Sequence, residues 1–285
     1  MNNEHGFVVI DKPAGFTSHD VVAQLRRKIG TKQVGHAGTL DPMATGVLVL
    51  GINHGTKFLS YIVSGTKRYQ GTIRLGQRTT TDDREGEIIE TTPVHHITDD
   101  QIHGALRSFQ GILLQVPSSV SAIKVQGKRA YERVRSGEKV ELKAREIRID
   151  TLEVISIKRE SFIDVEIDIR CSAGTYIRAI ARDLGEKLGV GGHLTALRRS
   201  EVVPFTLADC SSLETPVLLN LADSIAKVLP LRRISESEIR ELRFGRMIDP
   251  SKFQGVGVAC DEKNSVIAII ENRDSGAQPL TVFNP

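Results

Sequence analysis

The residues best suited to chemistry in this 285-residue chain lie in residues 35–46, Gly-His-Ala-Gly-Thr-Leu-Asp-Pro-Met-Ala-Thr-Gly. Glycines at 35, 38 and 46 permit backbone angles that other residues avoid, which marks a loop. Pro42 pushes Asp41 out of the helical region toward an extended conformation. The apolar run 47–50 follows at once, so a buried strand is expected to anchor a loop presenting one carboxylate, Asp41, and one imidazole, His36. Two readings are open. Asp41 either bonds local backbone, as Asp commonly does in turns, or is held out for nucleophilic or electrostatic work. Arg178, in Ser172-Ala-Gly-Thr-Tyr-Ile-Arg, is a second candidate, because a helix is predicted to start near Thr175. A cation at a helix amino terminus opposes the dipole. Arg178 therefore calls for an anion from elsewhere in the fold, or it forms an ordinary surface ion pair.

Other chemistries have less support. The three cysteines (171, 210, 260) are scattered and odd in number, which argues for a reducing compartment and against a zinc site or disulfide frame. No His-x-x-x-His pair falls on a predicted helix, so no metal is expected. Ser118, Ser119 and Ser121 lack a nucleophile elbow, and no phosphate-cradling or dinucleotide fingerprint is present. The amino terminus lacks the regions of a signal peptide. No apolar run approaches membrane-spanning length. A cytoplasmic protein without membrane contact is expected. Net charge is only +3, from 38 basic against 35 acidic residues, so any affinity for nucleic acid must come from clustering. Lys124, Lys128, Arg129, Arg133 and Arg135 form one such cluster and Arg198-Arg199 another. Each is either a solvated face or a phosphate-contacting surface. With no Trp and four Tyr, base stacking would fall to few rings, Tyr69 and Tyr176 among them.

The elements that must position these groups follow from periodicity. Residues 7–10 form a strand. Thr17 or Ser18 caps a helix with Val21, Val22, Leu25 and Ile29 as its stripe, ended by Gly30. A short helix carries Phe58, Leu59 and Ile62. Tyr69, Gly71, Ile73 and Leu75 alternate on one strand face, so core filling is the plain reading of Tyr69. Residues 77–87 read as an exposed polar loop, and 98–111 as a helix with a Thr98…Gln101 capping box. Ile163, Val165, Ile167 and Ile169 alternate with charged residues on a half-solvated strand. A helix is expected over 217–228, then a short helix 236–243 and strands at 256–260, 266–270 and 280–282. These give an α+β fold in two parts, a larger one at 1–230 and a small β-rich module at 231–285.

The loop at 35–48 resembles the catalytic motif of the TruB family of tRNA pseudouridine synthases. Four more stretches match in order: Asp11-Lys-Pro-Ala-Gly-Phe-Thr-Ser-His-Asp, Lys67-Arg-Tyr-Gln-Gly, Cys171-Ser-Ala-Gly-Thr-Tyr-Ile-Arg and His193-Leu-Thr-Ala-Leu-Arg-Arg. The resemblance implies the pseudouridine synthase fold, a mixed, largely antiparallel sheet flanked by helices, with a PUA-like RNA-binding module. It implies isomerisation of uridine 55 in the T loop of tRNA to pseudouridine with no cofactor or metal; a protein acting as a monomer is expected. Asp41 would be the nucleophile, kept ionised by Arg178, with Tyr69 stacking on the flipped base. His36 would help extrude the uridine, and Tyr176 and Leu197 would complete its pocket. Lys124, Lys128, Arg129, Arg198 and Arg199 would touch the RNA backbone. The stretch Pro117-Ser-Ser-Val-Ser-Ala departs from the family's Pro-Pro-x-Tyr-Ser-Ala, so Val120 receives no base contact. A guide-RNA-dependent synthase and a non-catalytic tRNA-binding or tRNA-folding protein are the competing functions.

Overall fold

The computed structural model describes residues 4–118, 124–125, 128–129 and 142–284. Strand β1 (Gly6–Lys12) leads into α1 (Ser18–Ile29), whose start and stop are both written locally. Thr17 and Asp20 form a capping box, and Gly30 closes the helix in the left-handed conformation. Strands β2 (Val34–His36) and β3 (Thr45–Ile52) flank the Asp41 loop, and α2 (Leu59–Val63) follows. Next come β4 (Lys67–Leu75), the hairpin β5 (Gln77–Thr79) and β6 (Ile88–Thr91), α3 (Asp99–Arg107) and β7 (Gly111–Gln115). The expected helix at 98–111 thus ends earlier, because Gly111 is needed as the first residue of β7, at φ +95°. Short strands β8 (Lys124–Val125) and β9 (Lys128–Arg129) pair with each other. The side chains of Lys124, Lys128 and Arg129, and all of Val120, Arg133 and Arg135, lie outside the described residues.

Strands β10 (Arg145–Arg159) and β11 (Ile163–Cys171), helix α4 (Ile177–Lys187) and strand β12 (Gly192–Val202) complete the site's frame. With β13 (Phe205–Thr206) and β14 (Leu219–Asn220) these build one ten-stranded sheet, ordered β14-β1-β3-β12-β4-β11-β10-β7. Strand β13 attaches to β12, and β2 to β3. Pairing is antiparallel except between β12 and β3, where Arg198 and Arg199 lie beside Thr45 and Gly46. The mixed, largely antiparallel sheet of the α+β expectation is present. Its main core holds Ile73, Val165, Ile167 and Ile169 from the alternating strands and Ile177, Ile180 and Leu184 from α4.

Helix α5 covers only Leu221–Ile225, shorter than the expected 217–228. Leu219 and Asn220 instead extend the sheet against Phe7 and Gly6, and Asn220 then caps the helix. Beyond it, β15 (Leu231–Arg233), helix α6 (Glu236–Arg243), β16 (Gly255–Cys260), β17 (Val266–Arg273) and β18 (Gly276–Val282) form a second, four-stranded sheet. This sheet does not stand clear of the first. Val258, Cys260, Ile269 and Phe283 share one buried cluster with Phe7, Val9, Phe58 and Ile62. Rings of His5, His54, Phe283 and Phe58 lie against one another in sequence across the junction, the two imidazoles stacked 3.6 Å apart.

Candidate active site

The Asp41 loop is fixed mainly by residues remote from it in sequence. Lys12 is fully buried, and its Nζ donates to the carbonyls of Pro13, Phe16 and Pro42 at 2.9, 2.6 and 3.3 Å. Gly15 N donates to Pro42 O at 2.9 Å, and the Ser18 hydroxyl both accepts from Leu40 N and donates to Leu40 O. On the other side, Arg199 donates through Nε to Val47 O, Nη1 to Thr39 O and Nη2 to Gly38 O. One guanidinium thereby grips the loop on both sides of Asp41. Gly46 is needed here, since a Cβ would come within 2.2 Å of the Arg199 carbonyl oxygen.

Arg199 corrects an expectation. Named as an RNA-backbone contact, it is 1% exposed, because its strand position opposite Tyr69 turns it inward. Its neighbour Arg198 faces out and pairs with Asp11 at 2.7 Å.

Arg178 has the anion that its place at a helix start called for. Its Nε lies 3.0 Å from Asp41 Oδ2, and Nη2 donates to Asp41 Oδ1 at 3.2 Å. Its Nη1 meets a second carboxylate, Asp83, at 3.2 Å and donates to Thr81 O at 3.0 Å. Asp83 comes from the segment expected to be an exposed loop, yet it is 3% exposed. The segment folds inward because Asp82 takes a positive φ, +60°, while Leu194 N on β12 donates to Asp82 O and Arg84 N donates to Leu194 O, each at 3.0 Å. Arg182, one turn further along α4, reinforces the dock with Asp82 at 3.4 Å. The only local hint was the density of Thr and Asp in residues 79–83.

Asp41, Tyr69, Tyr176, Arg178 and Leu197 together line one cavity of about 230 Å³, with Lys67 and Arg199. Five of the six residues expected around the target base therefore converge. Tyr176 is held by the Gln115 side-chain amide, which accepts from Tyr176 N at 2.8 Å and donates to Tyr176 O at 3.1 Å. His36 does not line this cavity. It sits on β2 opposite Leu50, its ring edge-on to His19 at 5.5 Å.

Electrostatics in the cavity are divided. The Asp41 side chain keeps 34% of its exposure through the cavity mouth, while protein surrounds it elsewhere. That burial raises its pKa, Arg178 opposes the rise, and Asp83 adds to it. The expected ionising effect of Arg178 is thus present but works against desolvation. Burial likewise raises the Tyr69 hydroxyl and lowers the Lys12 and Lys67 ammonium groups to about 8.

Sequence comparison decides the family. The model described as TruB family pseudouridylate synthase (N terminal domain) matches residues 26–177. Those for the tRNA pseudouridylate synthase B C-terminal domain and for tRNA Pseudouridine synthase II, C terminal, match 178–229 and 229–284. The chain belongs to the TruB family. It is 49% identical to tRNA pseudouridine synthase B of Thermobifida fusca over 288 residues, covering 98% of both chains. It is also 49% identical to the protein of that name from Corynebacterium diphtheriae, covering 98% of this chain and 96% of the other. Its fold superposes on a chain of a crystallised Cbf5-Nop10-Gar1 complex with TM-score 0.72 at 22% identity, covering 98% of this chain and 85% of that one. The architecture described above is therefore the pseudouridine synthase fold.

Proposed function

We propose that this TruB-family chain isomerises uridine 55 in the T loop of tRNA to pseudouridine, with Asp41 as nucleophile and no cofactor. The observation that carries the reading is the convergence of Asp41, Arg178 and Tyr69 on one cavity. The names of the near-full-length relatives supply the tRNA.

The target base lies inside the RNA stack and must be extruded before a side chain can reach it. Tyr69 stacks on the extruded ring, returning about 1–3 kcal/mol of the unstacking energy. Tyr176 and Leu197 close the pocket around it, and His36, on the strand leading into the loop, assists extrusion. Asp41 attacks in its ionised form. Arg178 orients both carboxylate oxygens and keeps the anion accessible, while Asp83 holds Arg178 from behind. Because burial raises the Asp41 pKa, the ionised fraction falls as pH drops through a value above the ordinary carboxylate range. Turnover accordingly has an acid limb above that range. Exposed Arg198 contacts the RNA backbone, as do Lys124, Lys128 and Arg129. Residues 1–230 carry the chemistry and 231–285 form a short RNA-binding module, acting as a cytoplasmic monomer.

Purified protein mixed with a bare tRNA transcript tritiated at uridine C5 tests the reading. Release of tritium stoichiometric with pseudouridine at position 55 is the expected result. Release only with an added guide RNA supports a guide-dependent synthase, and tight binding with no release makes the chain a tRNA-binding protein.

A further inference from the structure

Among the described residues, two buried cations in the cavity wall have no carboxylate within ion-pair distance. Lys67 is 6% exposed and Arg199 1%, and both line the cavity with Asp41 and Tyr69. Among the described residues neither forms an ion pair. Lys67 Nζ donates to the carbonyls of Val63 and Gly65, each at 2.6 Å, and Arg199 donates to three carbonyls of the loop and its strand. The two cations converge on Gly38, where a Cβ would sit 3.6 Å from Arg199 Nη1 and 3.9 Å from Lys67 Cε. Asp41, the one carboxylate among the described residues that line the cavity, is already engaged by Arg178. Burying two like charges side by side against neutral dipoles is unfavourable for folding. Such arrangements persist where a site needs the resulting field. Both cations line the cavity with Tyr69, and Asp41, the carboxylate in that lining, is held by Arg178 and also feels Arg199.

We propose that Lys67, backed by Arg199, stabilises the negative charge that the base carries between loss of its bond to the sugar and formation of the new one. The inference rests on the pseudouridine synthase reading above. Whether Asp41 attacks the sugar C1′ or the base, the C1′–N1 bond breaks with its electron pair leaving on the base, where the charge spreads over N1 and the carbonyl oxygens. A C5 electron pair then forms the C5–C1′ bond, the bond to Asp41 breaks with its pair returning to the carboxylate, the C5 proton departs and N1 takes up a proton, so the sum is an isomerisation. Fixed donors aimed at charge that develops only during reaction act on the rate more than on affinity.

The groups facing Lys67 are Arg199 on β12, Cys171 opposite it on β11, Tyr69 two residues along β4, and Asp41 with Arg178 across the cavity. Burial, then Arg199, lower the ammonium to about 8, while Cys171 opposes. Lys67 is charged below that value, so the rate should fall as pH rises through about 8.

Single-turnover C5-tritium release across pH 6–9.5, with tRNA affinity measured separately, tests this for the wild type, Lys67→Arg and Lys67→Met. In Lys67→Met at neutral pH the rate should drop by about 10²-fold, the loss typical of one such donor. Its tRNA affinity should stay within about twofold and its alkaline limb should vanish. Lys67→Arg should recover to within about tenfold of wild type and also lack the limb, since Arg does not titrate there. A wild-type rate in Lys67→Met overturns the proposal. So does an alkaline limb that survives in Lys67→Arg, which would assign it to Lys12. If Lys67→Met does not fold, the Lys67→Arg profile still decides. Absence of release by the wild type would instead sink the synthase reading itself.

Discussion

Residues 35–46 and 79–87 are both short, polar and rich in Gly, Thr and Asp, and each delivers one carboxylate to Arg178. Their carboxylates differ in what else can reach them. The Asp41 side chain is 34% exposed, and that of Asp83 is 4% exposed. Asp83 also accepts from the Thr81 hydroxyl at 2.6 Å and Glu85 N at 3.0 Å, so its oxygens are engaged from three directions. Asp41 meets Arg178 and the cavity. A single arginine is thus held between a closed carboxylate that fixes it and an open one that it presents. Composition made the loops look alike, and solvent access separates their roles.

Exchanging the closed carboxylate should have the larger effect on the fold. Asp83→Asn leaves the buried guanidinium with one fewer anion, and breaking a buried pair in this way is typically worth about 3–5 kcal/mol. Retention of the Thr81 and Asp41 contacts should keep the measured loss toward about 2–3 kcal/mol in urea melts. The same variant removes a charge that raises the Asp41 pKa, so the acid limb of turnover should move to lower pH. An unmoved limb with full stability would show that Asp83 is a bystander.

On the open side the balance reverses. Tyr69→Leu keeps an apolar side chain on β4 and should change stability little, yet lower single-turnover rates by about 10–100-fold through lost stacking worth about 1–3 kcal/mol. Loss of stability without loss of rate would return Tyr69 to core filling. The smallest effect is expected at Arg198→Ala. Its ion pair with Asp11 is exposed on both partners, and such pairs contribute about 0–1 kcal/mol. A slightly shallower salt dependence of tRNA binding should be its main trace.

Much of the frame was legible because it is local. The cap at Thr17 or Ser18, Gly30, the alternation in β4 and β11, and the bounds of α6 at Glu236–Arg243 each depend on residues a few positions apart. Arg178 was legible by conflict, since its place at a helix start called for an anion. Asp83, Lys12 and Lys67 were not singled out, because what makes them matter is a partner or a cavity supplied by the fold. Arg199 was misplaced for a related reason: adjacent arginines on a strand point to opposite faces, and the pattern alone does not say which face is the core. His36 lay in the right motif but on a strand beside the cavity rather than in its wall.

The central claim is that Asp41, alone of the two carboxylates on Arg178, performs the attack. Single-turnover C5-tritium release from tRNA by Asp41→Asn, measured alongside its tRNA affinity, tests it most directly. Release should fall by more than about 10³-fold while affinity stays within about twofold of wild type. Release at the wild-type rate from Asp41→Asn would contradict the account.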